Sequence, residues 1–222
     1  MNKKELVLRI LKLCFGAFAL AGAVIGAYDA LGTFLNAFNF NDGQTIAALI
    51  LYAVFTFALW GAVGFVGVKV ILDLSKNNEP EEKWLPLLLI AMGGTTFLAN
   101  FLYLAIIGAW TNGNLWVPAI YGLSLLAFGL LSLLMKQHND LFGFFGYFAV
   151  FVFCIFQIGV NRNIPAYEGV VQYLFLTLAL LMVVALFANK LIFAPKEEVQ
   201  VAPKGKKAPK EEAHKEEQPK EE

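Results

Sequence analysis

Six long apolar runs, at 13–35, 45–72, 85–109, 115–135, 141–160 and 169–193, leave this chain few ways to fold. A helix of about 20 residues matches the ~30 Å hydrocarbon core of a bilayer, and each run reaches that length. Hydrophobic residues make up 59% of the 222, well above the roughly 45–50% of a soluble domain. A soluble core could not hide them. The breaks at 39–44, 73–84, 111–114, 136–140 and 161–168 are short and polar, so consecutive spans should lie antiparallel. Trp84, Trp110 and Trp116 stand at run ends, where an amphipathic indole favours the headgroup region. A transmembrane β-barrel would need strands of about 10 alternating residues, a pattern these unbroken runs exclude. The predicted fold is all-α: a polytopic membrane protein with six transmembrane helices in three antiparallel hairpins.

The flanks are different in kind. Residues 1–12 place Glu5, Arg9 and Lys12 on one helical face and Leu6, Val7, Ile10 and Leu11 on others, which reads as an amphipathic cytoplasmic lead-in. Apolar residues continue well past Ala19-Leu20-Ala21, too far for the core of a signal peptide. Residues 13–193 then form the bundle. From 194 to 222 the run Pro195-Lys196-Glu197-Glu198 is echoed at 209–212 and 219–222. Such a Lys/Glu/Pro-rich segment has almost nothing to bury and is predicted to be a disordered cytoplasmic tail.

Orientation follows from the cations. Lys3, Lys4, Arg9, Lys12, Lys69, Lys76, Lys83, Lys136 and Lys190 fall on one side of the predicted spans, and Arg162 on the other. The positive-inside rule then predicts a multi-pass protein of the cell membrane with both termini cytoplasmic. The lipid bilayer is its first partner. No basic stripe points to nucleic acid. Cys14 and Cys154 lie in different runs near opposite leaflets, and His138 and His214 are isolated. No metal or other cofactor is therefore expected. The spans contain no HExxH, no paired acids and no Gly-rich phosphate loop, so the chain is read as a non-enzyme.

Asp29 is the one carboxylate well inside an apolar run. A charge at that depth is expensive, so it should face protein or water. Steps of four and three residues put Gly22, Gly26, Asp29, Thr33 and Asn36 on one small, polar face. Other spans carry polar side chains at helical spacing: Tyr52 and Thr56; Thr96, Asn100 and Tyr103; Tyr121 and Ser124; Cys154 and Gln157; Gln172, Tyr173 and Thr177. Nearly all belong to the outer half of the predicted bundle. The inner halves hold small residues such as Gly61, Gly64, Gly67, Gly143 and Gly146, suited to close helix packing.

Two functions fit this pattern. Polar groups of this kind ordinarily make interhelical hydrogen bonds. The leading expectation is therefore a scaffold or accessory subunit that meets a membrane-protein partner through Gly-rich helix faces or the tail. The alternative is an outward-facing pocket for a small polar or cationic solute, built from Asp29, Thr33, Tyr52, Thr56, Asn100, Tyr103, Gln157 and Gln172. In span count the chain resembles the substrate-capture subunits of energy-coupling-factor vitamin transporters, and the spacings Ala17 to Ala21 and Ala23 to Ala27 are similar to the helix-contact pattern of that family. That resemblance implies six spans, cytoplasmic termini and an outward-facing site.

Overall fold

In hydrocarbon every backbone N–H and C=O must be satisfied within the segment, so long apolar runs become helices. The computed structural model describes residues 3–76, 84–111, 113–161 and 168–193. Within them the helices are α1 (Lys3–Asn36), α2 (Gly43–Ser75), α3 (Trp84–Ile107), α4 (Gly113–Leu134), α5 (Asn139–Asn161) and α6 (Glu168–Phe193), with no strand among the described residues. All six are long and apolar enough to cross a membrane. The tail at 194–222 lies outside the described residues.

The expected boundaries shift where local chemistry differs from hydropathy. The lead-in does not break from the first span: α1 runs through position 12 as a single helix of 34 residues. Residues 3–12 contain neither Gly nor Pro, so nothing interrupts the hydrogen-bond ladder. At 1.5 Å per residue α1 is about 50 Å long and outreaches the hydrocarbon core. Its first turns leave Leu6, Val7, Ile10 and Leu13 exposed. At the far end of α3, Gly108 takes φ +68°, the left-handed conformation that closes helices. That ends α3 at Ile107 rather than at 109.

Helix α2 begins at Gly43 because Asp42 caps it. The Asp42 carboxylate accepts hydrogen bonds from the Thr45 hydroxyl at 2.7 Å, the Thr45 amide at 3.0 Å and the Gln44 amide at 3.3 Å. Above all the Thr45 hydroxyl, then the two amides, hold this carboxyl below its ordinary pKa. A depressed carboxylate contributes stability above its unfolded pKa and loses it as pH falls through the folded one. The cap should therefore be complete at neutral pH and fail only on acidification below about pH 4. We expect the Thr45 amide chemical shift to titrate in that window, and Asp42→Asn to remove the titration.

Each helix packs against its neighbours in sequence, α6 closes back on α1, and α3 also touches α5. Small residues set the closest seams. On α1 and α2, a Cβ at Gly67 would stand 2.9 Å from the Gly16 carbonyl, one at Gly64 would meet Ala23, and one at Gly26 would run into Trp60. The partners descend along α2 as they rise along α1. On α3 and α4, Gly93 meets Gly122 and Leu126, and Gly129 meets Leu89 and Ile90. On α5 and α6, Gly143 lies under the Phe187 ring. The core between them holds Trp60, Val63, Leu89, Met92, Tyr147, Val150 and Leu180.

Polar contacts gather at the end of the ring where α3 and α5 begin. The Tyr147 hydroxyl donates to the Leu85 carbonyl at 2.7 Å. Lys69 lies 5.5 Å from the centroid of the Trp84 ring, and Lys190 pairs with Asp140 at 3.5 Å. Ser132 bonds both the backbone and the side chain of Asn139, which ties the short 3-10 turn Lys136–His138 against α4.

Candidate functional site

Away from that end, toward the side where α2, α4 and α6 begin, the ring encloses a cavity of about 350 Å³. Its walls follow helical periodicity. Tyr52, Phe55, Thr56, Leu59 and Trp60 come from α2, and Met92, Thr95, Thr96, Ala99 and Asn100 from α3. Both sets repeat i, i+3, i+4, i+7, i+8, which is one face of a helix. Helix α4 adds Pro118, Tyr121 and Leu125; α5 adds Val150, Phe153 and Cys154; α6 adds Tyr173 and Leu176. Six of these side chains are aromatic, and none of the described lining residues is Asp, Glu, Lys, Arg or His.

Several of the polar groups have committed bonds. Thr95 donates to the Ala91 carbonyl at 2.6 Å, and the Asn100 amide donates to the Thr96 carbonyl at 2.8 Å. The Tyr121 hydroxyl is buried with no hydrogen-bond partner among the described residues. Its ring stacks on Phe153 with centroids 4.1 Å apart. Trp60 is buried and meets Tyr173 edge-on at 6.2 Å.

Asp29 stands one step behind this wall. Its carboxylate accepts a hydrogen bond from the Gln172 side-chain amide at 3.0 Å, across the seam where α6 closes on α1. Gln172 is 2% exposed, and its own carbonyl oxygen is buried with no hydrogen-bond partner among the described residues. The face that carries Asp29 points into protein. Gly22 lies against the backbone of α6 at Gln172, and Gly26 lies under the Trp60 indole. Thr33 donates to the backbone carbonyl of Asp29 at 3.2 Å, not to its carboxylate.

No family model, curated protein or solved structure matches this chain.

Of the residues singled out by sequence, Tyr52, Thr56 and Asn100 line the cavity. Asp29 and Gln172 join each other beside it. Tyr103 touches the Tyr52 ring edge-on at 6.1 Å and supports it from outside the lining. Thr33 serves the helix backbone, and the side chain of Gln157 lies outside the described ones. Ser124 is exposed and bonds back to the Ile120 carbonyl, so the polar spacing on α4 leads to the cavity only through Tyr121. Trp60 and Tyr173 were not among the pocket candidates. Trp60 carried a usable signal: Trp84, Trp110 and Trp116 mark span ends, whereas Trp60 sits in mid-span, where an indole must be packed inside.

Proposed function

We propose that this chain is a multi-pass protein of the cell membrane, with both termini cytoplasmic, whose cavity takes up a small solute from the outer face. The single observation that carries this proposal is the cavity itself. A volume of about 350 Å³ falls in the range of ligand pockets, roughly 300–1,000 Å³. Cavities that stay empty are apolar, whereas polar ones are occupied by water or by ligand. Here Tyr52, Thr56, Thr96, Asn100, Tyr121 and Tyr173 all contribute polar atoms to the lining residues. The distribution of Lys and Arg supports the orientation, because the cavity lies toward the end that they avoid.

The lining supports binding over catalysis. Among the described residues it offers hydroxyls, one carboxamide and the Cys154 thiol, with no carboxylate or imidazole in contact to serve as a general base. A scaffold reading would use glycine faces, or the tail at 194–222 that lies outside the described residues, to meet a partner. Gly16, Gly64, Gly67, Gly93, Gly122, Gly129 and Gly143 are already occupied by other helices of the same chain, while Gly32 and Gly61 have open space.

A cysteine at Thr96, in a background with Cys14→Ser and Cys154→Ser, tests the proposal. In intact cells it should react with a small, membrane-impermeant thiol reagent, and Ala99→Phe should suppress the reaction by filling the cavity. A cysteine that stays silent in the folded protein and reacts only after denaturation would show a dry, closed bundle.

A further inference from the structure

We infer that the cavity is selective for a weakly hydrated organic monocation, of the quaternary or methylated ammonium class, held by aromatic rings with the Asp29 carboxylate behind them. This rests on the cavity being a solute site, and it adds the charge and the kind of headgroup. Three observations carry it together.

The first is the density of rings. Tyr52, Phe55, Trp60, Tyr121, Phe153 and Tyr173 come from four helices onto one small cavity. The aromatic face is the negative end of a quadrupole and attracts a cation, most strongly when water is excluded.

The second is the balance of charge. Among the described residues no Lys, Arg or His lines the cavity, so none of them repels a cation or recruits an anion there. Asp29 is the charge on the other side of the wall. It is fixed by Gln172, the residue before Tyr173 on α6, and it stands three residues along α1 from Gly26, which lies under the Trp60 indole. A neutral solute would gain nothing from that placement. A monocation gains long-range attraction, which low-dielectric surroundings preserve.

The third observation selects the kind of cation. No described lining side chain is a carboxylate. A small metal ion would therefore give up its tightly held water for neutral oxygens alone. A methylated ammonium has little hydration to lose and presents methyl groups that pack on rings. The Gln172 carbonyl, buried beside Asp29 with no hydrogen-bond partner among the described residues, adds further negative potential on the same side.

The test uses full-length protein in lipid nanodiscs and two probes of one shape: choline, and 3,3-dimethylbutan-1-ol, in which carbon replaces the charged nitrogen. Choline should bind at least about tenfold more tightly than its neutral isostere. Asp29→Asn keeps the size of the side chain and a hydrogen bond to Gln172. It should reduce that preference by about tenfold while leaving affinity for the isostere unchanged. Tyr52→Leu, a second variant that retains apolar bulk, should also narrow the preference. Equal affinity for the two probes, or a preference that survives both substitutions, overturns the cation assignment and leaves the solute site standing. Failure of both probes to bind also overturns it. If the Thr96 cysteine is then unreactive as well, the solute site falls with it.

Discussion

Gly122→Ala should lower the stability of the purified protein by about 3 kcal/mol, read as an earlier thermal unfolding midpoint, although it adds a single methyl group. A Cβ there would stand 2.9 Å from both the Gly93 carbonyl oxygen and the Phe97 Cα. Gly93 is its counterpart, with the Gly122 carbonyl at 2.7 Å and the Leu126 Cα at 2.8 Å. These neighbours are backbone, so no rotamer change can make room, and α3 and α4 must separate along their whole seam. Without a hydrophobic force between helices in lipid, lost close packing is not easily replaced. Gly61→Ala is the control. Nothing lies within 4 Å of a Cβ there, and removing a helical glycine gains roughly 0.5–1 kcal/mol. If both substitutions behave alike, the α3–α4 seam is not the close contact described above.

The contrast between those two glycines also marks what the sequence could and could not reveal. Span positions were legible because lipid imposes one demand on every run, that of a helix about 20 residues long. Two helices depart from the predicted runs where a local group acts, the Asp42 cap and the left-handed Gly108, and α1 departs because nothing in 3–12 interrupts it. The rotation of each helix about its axis was not legible. Spacing put Gly26, Asp29 and Thr33 on one face, yet only packing shows that Gly26 receives the Trp60 indole and Asp29 the Gln172 amide. Asp29 and Gln172 are 143 positions apart, and apolar residues on every side of α1 and α6 give no period that would bring them together. Polarity alone also overlooks aromatic walls. Phe55 and Phe153 carry no polar atom that would single them out, and only the packing of neighbouring helices shows that they line the cavity.

Trp60 links packing to recognition, and substitutions there should separate the two. Trp60→Ala should cost about 4 kcal/mol, since it empties the space of a buried indole. Gly26→Leu alone should cost about 3 kcal/mol, because its side chain would enter the volume that the indole occupies. The two changes act on one shared space, so their effects cannot add. In the double variant the leucine fills part of what the indole vacates, and stability should exceed the additive expectation by about 2 kcal/mol. The aliphatic replacement restores volume but has no π face. The double variant should therefore unfold later than the sum of the two single effects predicts, while its preference for choline over the neutral isostere remains as low as in Trp60→Ala. Recovery of the preference together with stability would mean that Trp60 acts by filling space, and that the rings do not select the charge.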